Sequence, residues 1–281
     1  MALLYGMERS ALSAALGLAS TRASGLKSQF GTMGKPYNAG IAAANAIEAC
    51  GLARRGFTSA VDGLGGPQGF VPAHHPQHDS SEAILPDGSE TSFMFADVRH
   101  KLHACCQGAH AMIEGLRNLV AAHDITAQNL AALSIRVNPR WLKVCDIKAP
   151  RTGLEVKFSY VFLAAMVLHH IDTAAYQSYD DSICGDAGLI ATASKITVIG
   201  DEAISDGAVN VSADTQTGVH HTTDFDLMDP IDLSVLGPRL VAKASVLIGP
   251  ARAEKIWESM DDLDSIPAAQ MARCLQPLQN A

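Results

Sequence analysis

The densest group of residues that could perform acid–base chemistry lies between Arg99 and His110. Within these 12 residues the chain carries five basic or titratable nitrogen side chains, because His100, Lys101 and His103 lie between the two ends. Such side chains can bind a polycarboxylate and transfer protons near neutral pH. A polar linker that leads into a helix would have the same composition, so both interpretations stay open.

Lys35 is a second candidate, since it follows a turn of the form Gly-x-x-Gly and precedes Pro36. Glycine lets the backbone approach a ligand closely, and proline fixes the direction in which the chain leaves the turn. An ammonium held there would suit a carboxylate or a proton transfer, whereas a solvated lysine in a turn is the plainer interpretation. The turn is not a P-loop, because Gly31 and Gly34 are too close and no Ser or Thr follows the lysine.

Metal binding and several common enzyme classes are disfavoured. His103, Cys106 and His110 have a loosely ligand-like spacing, but no carboxylate or second cysteine pair completes a site. The histidines at 74–78 lie in a proline-rich loop without acidic or cysteine partners. The motifs of serine hydrolases, zincins and dinucleotide-binding enzymes are absent.

Composition narrows the class of protein further. The chain has 21 Lys and Arg against 29 Asp and Glu, a net charge of −8, which argues against general nucleic-acid binding. No stretch of 18 apolar residues is present, and the first residues lack the pattern of a signal peptide. We therefore expect that the protein does not associate with a membrane and is located in the cytoplasm. No C-x-x-C pair occurs, and we expect free thiols, with Cys105 and Cys106 packed rather than bridged.

Hydrophobic periodicity predicts helices, a small sheet and one long loop. The predicted elements are helices at 8–25, 38–55, 110–122, 154–169, 238–248 and 251–260, strands at 130–137, 195–200 and 207–213, and a loop at 62–92. This order indicates a mostly α fold with an α+β part. We expect a helical domain made of 1–96 and 226–281, an inserted α+β domain at 97–225, and a substrate cleft between them. The helix at 38–55 is rich in alanine on nearly every face, which predicts a homodimer or larger oligomer.

Several sequence blocks occur in the order and spacing of one known family. The blocks are Leu16–Leu26, Phe30–Pro36, Ala42–Thr58, Lys101–Cys106 with His110, and Glu155–Ser159. The fourth block is similar to a "K-x-Y-x-x-C … H" segment and the fifth to an "E-A-K-F-S" segment. Together they cover most of the chain and resemble the MmgE/PrpD family.

The resemblance implies a large helical domain with a smaller α+β lid. It also implies an enzyme without metal or cofactor that acts on small di- or tricarboxylates by proton transfer at a carbon next to a carboxylate. The family includes 2-methylcitrate dehydratase, cis-aconitate decarboxylase and iminodisuccinate epimerase. Dehydration, decarboxylation and epimerisation therefore all stay open.

The family's site residues transfer to matching positions of this chain. By resemblance, Lys35, Lys101 and Cys106 are expected in catalysis, the last where some members have a histidine. The expected substrate-binding residues are Thr32, His103, His110 and Ser159.

Two departures from the family leave the activity itself open. Phe162 stands where some members have a tyrosine, although Tyr160 is near. The chain also begins where the family is already well into its helical domain, so part of the active site is expected to be missing. We therefore weigh three hypotheses. The chain is an active lyase or isomerase that a dimer partner or a separate chain completes, or it is an inactive truncated remnant or interaction module. In the third hypothesis, the natural protein is longer than this sequence.

Overall fold

The computed structural model describes residues 1–29, 32–75 and 98–274 and divides the chain into two units, Met1–Val98 and Arg99–Ala281. The first unit contains helices α1 (Arg9–Ser20), α2 (Gly34–Arg54) and α3 (Phe70–His74). α1 packs against α2, and the buried contact consists of the small residues Ala15, Cys50 and Ala53. The alanine-rich sequence thus produces a close helix pair with a thin core.

Three predictions for the first unit are wrong. The helix predicted at 8–25 ends at Ser20. α2 begins at Gly34 rather than 38, because Pro36 needs no backbone donor in the first turn of a helix. The predicted loop at 62–92 contains the short helix α3, while its part after residue 75 lies outside the described residues. The end of α2 is as expected, since Gly56 adopts a positive φ of 84° just beyond it.

The second unit is built on a mixed four-stranded sheet. Its strands are β1 (Leu130–Val137), β2 (Ile196–Gly200), β3 (Ala208–Thr215) and β4 (His220–Asp226), in the order β2-β1-β3-β4. β1 pairs in parallel with β2 and antiparallel with β3, which in turn pairs antiparallel with β4. The alternation of β1 buries Leu133, Ile135 and Val137 on one face.

Helices cover the sheet and complete the core of this unit. They are α4 (His110–His123), α5 (Leu142–Cys145), α6 (Gly153–Val156), α7 (Tyr160–Leu168) and α8 (Ala187–Ala193). α4 packs on β3 and β4, and α7 lies against α4 and α8. α7 is apolar all round and completely buried, which explains its place at the centre of the core.

Three further helices follow the sheet: α9 (Leu233–Ile248), α10 (Pro250–Glu258) and α11 (Ala268–Cys274). Asp232 caps α9 by accepting a hydrogen bond from the amide of Ser234, so the helix begins five residues before the predicted start at 238. α9 packs against α10. All three helices are grouped with the second unit.

The α-rich architecture with an α+β part agrees with the sequence prediction at this coarse level. β4 and α8 were not predicted, and the single helix predicted at 154–169 is two helices with a break at 157–159. The common domain of 1–96 and 226–281 stays a prediction, and its boundary near 96 lies outside the described residues. Within the described ranges, no helix combines the length and apolar character needed to cross a membrane.

Candidate functional site

The segment predicted to be chemically active, Arg99–His110, is held in place by two long-range backbone hydrogen bonds. The amide of Ala104 donates to the carbonyl of Thr173 at 2.9 Å, and the amide of Cys106 donates to the carbonyl of Lys157 at 3.0 Å. The segment then enters α4 at His110. Its side chains are therefore positioned by the chain on both sides of α7.

His103 is buried in a network of hydrogen bonds. It is 2% exposed, its Nε2 lies 2.9 Å from Oε1 of Glu114, and its Nδ1 lies 2.7 Å from the hydroxyl of Thr173. Burial lowers the pKa of His103 more than the hydrogen bond with Glu114 raises it. We therefore assign the neutral ring, with Nε2–H donating to the carboxylate and Nδ1 accepting from the hydroxyl.

Glu114 is the only carboxylate of this network among the described residues, and it joins α4 to α9. Its Oε1 also accepts a hydrogen bond of 2.7 Å from Arg239, which extends from α9. Burial would raise the pKa of Glu114, but the hydrogen bonds from His103 and Arg239 outweigh it and lower the pKa to about 2. The carboxylate is therefore ionised and paired with Arg239.

His110 lies one helical turn before Glu114, on the same face of α4. It is 1% exposed, and its ring centroid lies 5.1 Å from that of His103. Burial is the main reason that the pKa of His110 falls to about 3, while a hydrogen bond with the backbone of Cys105 opposes the shift. Its Nε2 is buried and makes no hydrogen bond with any described residue. A neutral ring that donates to this backbone leaves Nε2 as an unprotonated acceptor.

Lys101 and the two cysteines form the turn that faces His110. The exposed Lys101 donates from Nζ to the carbonyl of Cys105 at 3.1 Å. Burial raises the pKa of the Cys105 thiol to about 12, so this thiol is neutral. Cys106 is also buried, and its carbonyl accepts from the Cys105 thiol at 3.7 Å. The five cysteines whose side chains are described form no disulfide, as expected.

Ser159 has a structural task in this unit. It is completely buried and caps α7, its Oγ accepting from the amide of Phe162 at 3.3 Å. Tyr160 donates from its hydroxyl to the carbonyl of Gly108 at 2.8 Å and so braces the turn before α4. Phe162, which stands at the family's tyrosine position, is part of the core. The substrate-binding role of Ser159 stays a prediction.

Thr32 and Lys35 belong to the first unit. The hydroxyl of Thr32 donates to the carbonyl of Gln29 at 2.8 Å and accepts from the amide of Gly34 at 3.0 Å. Lys35 is half-buried in the first turn of α2, where backbone amides and the helix dipole attract anions. Gly31 lies outside the described residues. The catalytic role of Lys35 and the binding role of Thr32 stay predictions.

The sequence analysis did not identify five residues that the structure places around Lys101, His103 and Cys105: Glu114, Lys157, Thr173, Arg239 and Lys243. For two pairs the sequence holds a signal, because His110 with Glu114, and Arg239 with Lys243, are each four residues apart on a helix. Thr173 had no such signal, since its contact with His103 spans 70 residues.

The histidine pair at 220–221 contacts residues outside the network of His103 and His110. His220 lies 2.7 Å from a carboxylate oxygen of Asp214, and His221 stacks on His123 with ring centroids 4.0 Å apart. Across residues 1–29, 32–75 and 98–274, no three His, Cys, Asp or Glu side chains are grouped to hold a metal ion. His78 lies outside these ranges.

Comparison with protein families gives two matches, in the expected order. The MmgE/PrpD N-terminal domain matches residues 1–83, and the MmgE/PrpD C-terminal domain matches residues 103–229. No curated protein matches the chain. The second match begins at His103, two residues after Lys101, and ends just after β4. These domains suggest a dehydratase-like or lyase-like function. The chain belongs to the MmgE/PrpD family.

Proposed function

We propose that this chain is a lyase that acts on a small di- or tricarboxylate by transferring a proton at a carbon next to a carboxylate. The reaction is a dehydration or a decarboxylation and uses no metal or cofactor. Family membership supports the reaction class. The observation that carries the proposal is the buried Nε2 of His110, which has no hydrogen-bond partner among the described residues and lies in a ring whose pKa is lowered by the charge of Lys101.

The two residues complement each other chemically. Lys101 supplies a positive charge that pairs with a substrate carboxylate. His110 supplies a lone pair at Nε2, fixed in direction by the hydrogen bond of its other ring nitrogen to the Cys105 backbone. Its pKa is low without a ligand, because the ring is buried beside the cations Lys101 and Lys243. A bound carboxylate offsets those charges and raises the pKa, which makes Nε2 a better base when substrate is present.

Both reactions pass through a carbanion, but a different bond breaks to form it. In a dehydration, Nε2 of His110 removes the proton from the carbon next to the carboxylate, and the β-hydroxyl then leaves as water with the proton that His110 has taken up. In a decarboxylation no proton is removed first: the carbon–carbon bond to a carboxylate breaks, carbon dioxide leaves, and the carbanion takes a proton from an acidic side chain of the site. Lys35 and Cys106 are proposed to assist in this transfer, and Thr32, His103 and Ser159 to shape the binding site. An epimerase of the same family would return the proton to the opposite face of the carbon.

Turnover is tested by proton NMR in D₂O with 2-methylcitrate, cis-aconitate and citrate as separate substrates. The experiment compares the unmodified chain with Lys101→Ala, His110→Gln and the control Lys143→Ala, which removes an exposed lysine on α5. We expect turnover of one acid, its loss in the first two variants, and no change in the control. Removing a general base typically costs about 100-fold or more in rate.

The outcomes separate the alternatives. Exchange of the α-proton for deuterium without a new product would indicate an epimerase. A folded chain that neither turns over nor exchanges any of these acids would refute the proposal and favour a non-catalytic remnant or interaction module.

We further propose that the chain works in the cytoplasm as a homodimer or larger oligomer. α2 is the longest helix described in the first unit, and two of its large apolar side chains, Tyr37 and Ile47, are 65% and 50% exposed. Exposed apolar side chains on such a helix favour association. Sedimentation velocity that shows only a monomer at micromolar concentration would contradict the oligomer.

A further inference from the structure

Three lysine side chains from separate parts of the second unit converge on Cys105. Lys101 donates to its carbonyl, Lys243 on α9 donates from Nζ to the backbone carbonyl of Lys101, and Lys157 precedes the cap of α7. All three are close enough to Cys105 to oppose, by their charge, the rise in the pKa of its thiol that burial causes. We call Lys101, Lys157 and Lys243 the lysine cluster.

The lysine cluster lacks negative charge to balance it within the part of the chain that the structure describes. No carboxylate there lies within salt-bridge distance of any of the three ammoniums. The Cys105 thiol is neutral, and Glu114, the carboxylate of the network around His103, already accepts hydrogen bonds from Arg239 and His103. Like charges placed this close repel one another in a partly buried setting.

Partial burial lowers the pKa of both Lys157 and Lys243. Burial lowers the pKa of Lys243, and the neighbouring Lys101 lowers it further. Burial also lowers the pKa of Lys157, whose ammonium lies 4.7 Å and 4.9 Å from the ring centroids of Tyr176 and Tyr179. The rings hold this ammonium in place without neutralising it. Beside the cluster lies His110, which is 1% exposed and whose Nε2 accepts no hydrogen bond from the part of the chain that the structure describes.

We propose that Lys243 is a substrate-binding residue and that the lysine cluster binds a carboxylate of the substrate other than the one next to the reacting carbon. The inference rests on the proposed function for the identity of the substrate. It adds α9 to the site, although α9 lies outside both regions matched by the family domains. A ligand with two or three carboxylates would be held at one end by the cluster and at the other near His110.

Citrate is the probe, and its dissociation constant is measured by titration calorimetry at low ionic strength. We compare the unmodified chain with Lys243→Met, Lys243→Arg and the control Lys143→Met. The first variant should bind citrate about tenfold more weakly, which corresponds to about 1.4 kcal/mol. The arginine variant keeps the charge and should lose less than the methionine variant. The control should not change, because Lys143 is exposed and outside the cluster.

A loss of folding is separated from a loss of binding by thermal unfolding without ligand. If Lys243→Met unfolds, Lys157→Met takes its place and should weaken citrate binding in the same way. Propionate, which has one carboxylate, should bind more weakly than citrate to the unmodified chain, and the difference should shrink in Lys243→Met.

Two results would overturn the inference: no citrate binding by the folded, unmodified chain, or equal binding by Lys243→Met and the control. Its failure is distinct from failure of the proposed function. An acid that is turned over with the same KM in Lys243→Met refutes only the cluster. Citrate binding that depends on Lys243, without turnover of any acid, refutes only the lyase.

Discussion

Replacing Glu114 with glutamine tests the buried network that joins α4 to α9. The change keeps the size of the side chain but removes the charge that accepts from both His103 and Arg239. The pKa of Glu114 falls from an ordinary 4.5 to about 2, a gap that corresponds to about 3 kcal/mol. Since the Arg239 side chain is 33% exposed and partly screened by water, we expect a loss of about 2 kcal/mol at pH 7.

The sign of the pH dependence gives the sharper test. A carboxyl group whose pKa is lower in the folded state stabilises the fold above its unfolded pKa, and this contribution disappears as the pH falls toward the folded pKa. The difference between the unmodified chain and Glu114→Gln should therefore be full above about pH 5. It should shrink steadily as the pH falls from 4.5 toward 2.

Urea unfolding followed by circular dichroism at several pH values measures this difference. Glu202→Gln serves as the matched control, because Glu202 is exposed in the turn after β2. The reasoning is refuted if Glu114→Gln unfolds at the same urea concentration as the control at pH 7. A deficit that stays constant from pH 7 to pH 3 would refute the electrostatic explanation alone.

Three further predictions concern the same unit. Because the pKa of His110 is lowered from 6.5 to about 3, the free energy of unfolding should fall as the pH drops below 6.5. His110→Phe should reduce the slope of this free energy against pH by about 1.4 kcal/mol per pH unit, as measured by urea unfolding. An unchanged slope would contradict this. Gly153→Ala should lower the free energy of unfolding by about 3 kcal/mol, because its Cβ would stand 1.7 Å from the carbonyl oxygen of Tyr179. Gly185→Ala is the control, since its Cβ meets nothing within 4 Å. Equal melting temperatures of the two variants would contradict this prediction. Iodoacetamide at pH 8 should label Cys184 well before Cys105, whose thiol is buried and has a pKa of about 12, and peptide mapping that finds the reverse order would show that the turn opens readily.

The sequence predicts those features of the fold that depend on local periodicity. β1 begins and ends where the alternation of Leu133, Ile135 and Val137 predicts, and α4 begins at His110 as expected. β4 was missed because its apolar content is low: its sequence is HHTTDFD, and its place in the sheet comes from pairing with β3. That pairing is a tertiary effect, which local preference does not contain.

The candidate site follows the same division. Lys101, His103 and His110 were recognised because they crowd one short segment, of which the C-terminal family match includes His103 and His110. Arg239 and Lys243 were missed because their partners are distant in the sequence: Arg239 contacts Glu114 across 125 residues, and Lys243 contacts Lys101 across 142. Ser159 also caps α7, a role that a serine before an apolar run commonly has, and its part in substrate binding stays a prediction.

The two backbone hydrogen bonds that hold the candidate segment couple its local unfolding to that of the core around α7. The amides of Ala104 and Cys106 are bonded to carbonyls 69 and 51 positions further on, at Thr173 and Lys157. The two partner carbonyls lie in the segments that flank α7, so we expect neither amide to exchange with solvent deuterium while those segments stay packed. Hydrogen exchange at these two positions should therefore be as slow as at the centre of α7, and the candidate segment should open only when the core of the second unit opens.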